Sequence, residues 1–162
     1  MEDQSYIAYI RSMVGNNRII LNATAVVIVD EENRILLQKR ADNGLWGLPG
    51  GLLELDETIA ECAIREVKEE TNLDITLTKF IGVFVNPNMT WREKDKAQVF
   101  AFGFVGNVIG GTLEMNDGES LALQYFAKAD IPPVHSKDNE AIINAYYRNE
   151  FNLVEGKYYN GD

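Results

Sequence analysis

Residues 50–73 read GGLLELDETIAECAIREVKEETNL and carry seven acids, Glu54, Asp56, Glu57, Glu61, Glu66, Glu69 and Glu70, against two bases, Arg65 and Lys68. Charge of one sign at this density repels itself unless a cation sits among it. Glu66, Glu69 and Glu70 lie three and four positions apart, so on a helix their carboxylates share a face. Hard oxygen donors within one turn suit Mg²⁺ or Mn²⁺, completed by water and substrate phosphate. A solvated acidic helix face is the competing reading of the same three residues. The preceding pair Gly50–Gly51 favours the metal, because glycine allows close backbone approach and can expose a carbonyl as a further ligand.

A helix must hold these acids, and its ends are marked. Thr58 followed by Glu61 makes a capping box, the helix runs to about Thr71, and Asn72 takes the left-handed closing position. Ala60, Ala63, Ile64 and Val67 form one narrow apolar stripe at helical spacing, which predicts the packed face. Cys62 projects toward the carboxylate side, where a small packed thiol accounts for it.

The neighbouring elements follow from periodicity. Residues 4–14 place Tyr6, Ile7, Ile10, Met13 and Val14 on one face of an N-terminal helix, with Gly15 as its C-cap. The β-branched run 23–30 predicts a buried strand, and the turn at 30–33 predicts a hairpin with a second strand at 34–40. Residues 41–51 hold four glycines and Pro49 and read as a loop, with Trp46 as a plug over the sheet. One or two strands are expected over 73–85, a mobile polar loop over 86–97 and a strand over 98–108. An acidic loop follows over 109–120, then a strand over 121–130. A final helix is expected over 136–151, capped by Ser136, with Ile142, Ile143, Tyr146 and Tyr147 as its apolar stripe. Strands before, between and after helices, without regular alternation, predict an α+β fold with a mixed β-sheet.

The totals set limits. The chain has 162 residues, 46% of them hydrophobic, which fits one domain spanning 1–162 with residues 1–20 as an accessory helical segment and 152–162 as a frayed tail. A formal net charge of −10 argues against an extended nucleic-acid surface or a membrane-binding face, though bound cations still permit anionic substrates. The single cysteine excludes an intrachain disulfide and, with no signal-like N-terminus, leads to a cytoplasmic expectation. No EF-hand loop is present, so a calcium-binding structural role finds no support.

The pattern Gly51-x5-Glu57-x7-Arg65-Glu66-Val-x-Glu69-Glu70-x-Asn72-Leu73 resembles the Nudix box of hydrolases that cleave nucleoside diphosphates linked to another moiety. WGLPGG (46–51) and ILLQKR (35–40) look like that family's usual lead-in. Asn72 stands where the family normally has Gly, and Asp56 replaces another frequent Gly in the loop. The resemblance implies an α/β/α sandwich and a Mg²⁺-dependent hydrolase, with Mn²⁺ as a substitute. Its substrate would be a nucleotide or nucleoside diphosphate derivative, an NTP, a dNTP or an NDP-sugar such as ADP-ribose.

By the same resemblance Glu66, Glu70, Glu69 and the Gly50 carbonyl would ligate metal, with Glu69 also a candidate base. Arg65 would pair with Glu57 and hold the loop against the helix, while an Arg65–Glu61 pair is the plain helical reading. Glu54 would stand in the outer shell. Glu119, and less so Glu114, are candidates for a base outside the box, and Arg40 for a phosphate contact. Trp91, Phe84, Tyr125 and Phe126 are candidates for base recognition, with a place in the core as the competing reading of each. His135, the only histidine, reads as a turn or cap residue. A catalytically silent nucleotide-binding module is the alternative function, against which the intact set of Arg65 and three glutamates argues. The N-terminal helix and sheet edges leave room for a homodimer.

Overall fold

From Thr24 to Ile28 every side chain of strand β1 (Ile19–Ile28) is buried. A strand buried on both faces must be covered from both sides. In the computed structural model, which describes residues 4–91, 95–116 and 118–154, alternate residues do this. Ala25 and Val27 enter one core with Ile35, Leu37, Ile81 and Phe84 beneath helix α3 (Lys137–Tyr147), whose Ile142 and Ile143 close it. Val26 and Ile28 enter a second core with Leu36 and Ile75, closed by Ala63 and Val67 of helix α2 (Ile59–Thr71). Strand side chains alternate between faces, so the two cores lie on opposite sides. The α/β/α sandwich expected from the resemblance is the fold observed.

Two sheets make the middle layer. In the first, β1 runs parallel to β5 (Asp95–Gly111), β5 antiparallel to β4 (Leu73–Trp91), and β4 parallel to the short β7 (Leu153–Val154). The second is antiparallel and orders β3 (Trp46–Gly47), β2 (Ile35–Arg40) and β6 (Ser120–Phe126).

Several expectations change here. The β1–β2 hairpin reduces to one antiparallel bridge, Val29 with Ile35, because the chain passes from one sheet to the other at that turn. Residues 86–97 are not a loop throughout. β4 continues to Trp91 and β5 starts at Asp95, with Thr90 opposite Lys96, while 92–94 lie outside the described residues. The strand expected over 121–130 ends at Phe126, and Lys128–Asp130 form a 3₁₀ turn. Part of the expected frayed tail is paired, Leu153 and Val154 lying beside Gly82 and Val83, and 155–162 lie outside the described residues.

Helix α1 (Tyr6–Val14) closes at Gly15 as expected. Tyr6 and Ile7 pack on Leu21, Ala97 and Val99, whereas Met13, expected on the packed face, is 58% exposed. Arg11 fastens the helix to β5 through Asp95 at 3.3 Å and the Lys96 carbonyl at 3.0 Å. No helix among the described residues is long and apolar enough to cross a membrane.

Helix α2 carries the expected capping box, and Asn72 closes it with φ 61°. Its buried arc differs from the expected stripe. Cys62, Ala63, Val67, Glu70 and Thr71 are buried, whereas Ala60 is exposed and Ile64 is 40% exposed. The helix is turned so that part of its carboxylate face looks inward, and the glycines make the room. A Cβ on Gly51 would run into the Glu66 carboxylate.

Candidate functional site

Residues 49–53 lie along β1. Val26 N–H donates to the Pro49 carbonyl at 2.9 Å, Thr24 N–H to that of Gly51 at 2.9 Å, and Leu53 N–H to that of Asn22 at 3.0 Å. Gly50 sits between the first two bonds, so close to β1 that a Cβ would strike the Thr24 carbonyl oxygen. Its N–H donates to Glu70 Oε2 at 2.8 Å, which satisfies an acid that is only 7% exposed. Glycine at this position therefore places a buried helix carboxylate against the loop.

Arg65 ties the loop to the helix. Nε and Nη2 donate to the two Glu57 oxygens at 2.9 and 2.7 Å, and Nη1 donates to Glu66 at 2.8 Å and Glu69 at 3.2 Å. The Arg65 hydrogen bonds hold the Glu57 carboxyl down at about 2, helped by the Glu54 N–H and opposed by desolvation. Glu66 is raised instead, chiefly by burial, with the charges of Glu69 and Glu119 adding to it and Arg65 opposing. Cys62 lies against Thr24 at 3.5 Å, and burial pushes its thiol up to about 12, so it stays protonated and packed.

These residues border a cleft of about 600 Å³, within the range of small-molecule sites. Glu66, Glu70, Gly50, Gly51, Arg40, Glu119 and Glu54 all line it. Arg40 makes a two-pronged contact with Asp42 at 3.0 and 2.8 Å, and the charges of Glu70 and Glu119 add to raising its pKa. Glu54 accepts the Tyr6 N–H of α1 at 2.7 Å. Among the described residues no three His, Cys, Asp or Glu side chains already converge as a metal cage.

Other expected residues fall elsewhere. Glu69 is exposed, meets Arg65 and does not line the cleft. The alternative Arg65–Glu61 pair is not formed, since Glu61 is engaged by Thr58. Glu114 lies away from the cleft, its N–H bonded to the Thr71 carbonyl at 3.0 Å. Phe84 is buried in the core, and Tyr125 and Phe126 pack against the two cores, so none of the three faces the cleft. Trp91 ends β4 opposite Asp95, and its side chain lies outside what is described.

The cleft also contains residues to which the sequence assigned no part in a site. Ile7, Leu52, Met89 and Val99 give it an apolar wall, and Gln38, Asp138 and Asn139 line it further. Asn139 accepts the Leu48 N–H at 2.7 Å and donates to Asp138 at 3.2 Å, which Asn86 also reaches at 3.2 Å. Ser136 caps α3, so His135 is not the cap. It packs against Gly47, and burial together with Arg40 lowers its pKa to about 4. The run Ser136-Lys-Asp-Asn139 carried the only signal, as a helix start whose first-turn polar residues need partners.

Comparison with known proteins agrees with this geometry. The NUDIX domain matches residues 20–146. An ADP-ribose pyrophosphatase of Methanocaldococcus jannaschii is 36% identical over 124 residues, which are 75% of this chain and 70% of that protein. A MutT-like protein of Streptomyces ambofaciens is 48% identical over 64 residues, 40% of this chain and 42% of that protein. The crystal structure of an ADP-ribose pyrophosphatase from Streptococcus suis superposes with a TM-score of 0.63 at 25% identity, covering 83% of this chain and 96% of that one.

Proposed function

The chain belongs to the Nudix family of pyrophosphohydrolases, and from that premise we propose that it hydrolyses the diphosphate bond of a nucleoside diphosphate sugar, with ADP-ribose first among the substrates to test. The observation that carries this reading is the cleft in which Glu66 and Glu70 meet the Gly50–Gly51 loop, Arg40 and Glu119. The relative from Methanocaldococcus jannaschii favours ADP-ribose over a free nucleoside triphosphate.

The donors fit Mg²⁺, or Mn²⁺ in its place. Glu66 and Glu70 offer hard oxygens on the cleft wall, and Glu66 is poorly solvated and repelled by its acidic neighbours, so a nearby cation relieves it. Glu66, Glu70 and the Gly50 carbonyl would hold the ion, while Glu69, outside the cleft, stays with Arg65. Bound there, the metal would neutralise phosphate charge and make the attacking water more acidic.

The chain's own groups do the rest. Arg65 and Glu57 keep loop and helix in register, Arg40 faces the phosphates, and Glu119 accepts the proton of the attacking water. Water adds to one phosphorus as its bond to the bridging oxygen breaks, giving two phosphomonoesters. Incubation with ADP-ribose and Mg²⁺, with products identified by mass, should yield AMP and ribose 5-phosphate. Absence of both, with a nucleoside triphosphate cleaved instead, would replace the substrate class.

A further inference from the structure

Helix α1 lies outside the matched NUDIX region, which starts at residue 20, yet it borders the cleft. Ile7 lines the cleft together with Leu52, Met89 and Val99, and it packs in the same small core as Leu21 and Ala97. The helix is fastened at two points. Its first turn donates the Tyr6 N–H to Glu54, a residue of the carboxylate-bearing loop, and Arg11 pairs with Asp95 at the start of β5. An appended helix fastened to both the loop and the strand pair keeps a fixed position relative to the carboxylates.

We propose that α1 is a specificity element in which Ile7, together with Met89, forms the apolar wall against which the nucleobase of the substrate packs. The chemistry of the cleft is divided. Carboxylates, glycines and Arg40 serve a phosphate-bearing part, and the wall formed by Ile7, Leu52, Met89 and Val99 offers nothing to phosphate. An occupant must therefore join anionic phosphates to an apolar surface, which a nucleoside diphosphate does and inorganic pyrophosphate does not. Burying a base on this wall removes apolar area from water, which favours binding without demanding a particular base.

The inference rests on the nucleotide reading above, and its test is one of binding rather than turnover. Dissociation constants for ADP and for inorganic pyrophosphate, both with Mg²⁺, are compared between the parent chain and Ile7→Ser, and with Ile7→Phe as a second variant that refills the wall. Ile7→Ser should weaken ADP five- to tenfold and leave pyrophosphate within twofold, and Ile7→Phe should restore at least half of the lost ADP preference over pyrophosphate. Equal losses for both ligands in Ile7→Ser, or unchanged ADP binding, would overturn the proposal. Loss of ADP preference in a chain that hydrolyses no anhydride would retain the wall and reject the hydrolase reading. Normal hydrolysis with unchanged ADP binding would do the reverse.

Discussion

Arg65 serves three carboxylates at once, and they differ in what it leaves them. Glu57 receives two of its hydrogen bonds and is held ionised, whereas Glu66 receives one and stays poorly solvated at the cleft wall. Glu57 is thus a structural anchor, whereas a cation beside Glu66 would offset the burial that raises it. The spacing of the acids made this contrast partly legible, since the box names both residues. It did not reveal that Glu70 is buried, because its partner is a backbone N–H that no side-chain pattern displays. Phe84, Tyr125 and Phe126 take the core reading rather than that of base contacts, as large apolar surface is satisfied equally by either. Glu119, by contrast, lines the cleft, as its proposed role of proton acceptor requires. Glu119→Gln should lower kcat at least tenfold and change KM less than threefold, as steady-state kinetics will show. An unchanged kcat would remove it from the proton's path.

At the scale of elements, α2 was the most legible because its start and stop are local chemistry. The Thr58–Glu61 box and the left-handed Asn72 both stand as the sequence indicates. Asp56, at another position where glycine is frequent, also holds a positive φ of 65°, so both departures keep the backbone that glycine would give. Asn72→Gly should therefore shift stability by no more than about 1 kcal/mol, as it relieves the left-handed cost and loses the bond to Thr112. Asn72→Val should cost about 1–2 kcal/mol, since a β-branched residue resists that conformation. Denaturant midpoints distinguish the two. Strand partners were less legible. β1 is buried on both faces, so its apolar run cannot say which strand it joins, and its partner β5 lies far along the chain. The outer parts of β4 and β5 are polar and contain Pro87, which hid their pairing within an apparent loop.

The whole molecule brings charge and cleft together. A chain of net charge −10 places Arg40 beside the acidic residues of its cleft and half-buries His135 at the same border. His135 faces Arg40, Asp42 and Asp138, with the burial cost largest, so its folded value of about 4 lies below the 6.5 of the unfolded chain. The unfolded state then takes up the proton first. Stability is complete above pH 6.5 and falls toward pH 4 by up to about 3 kcal/mol from this group. His135→Asn should flatten the slope of unfolding free energy between pH 6.5 and 5, and an unaltered slope would show that His135 titrates normally. Glu66 and Glu70 are the proposed metal-dependent centre of the hydrolase. Mg²⁺-dependent turnover of ADP-ribose by Glu66→Gln and Glu70→Gln, measured beside their thermal midpoints, tests it most directly. Both variants should lose at least a hundredfold in turnover with midpoints within a few degrees of the parent, on the order of 1 kcal/mol. Near-normal turnover in either folded variant would remove that glutamate from the metal centre.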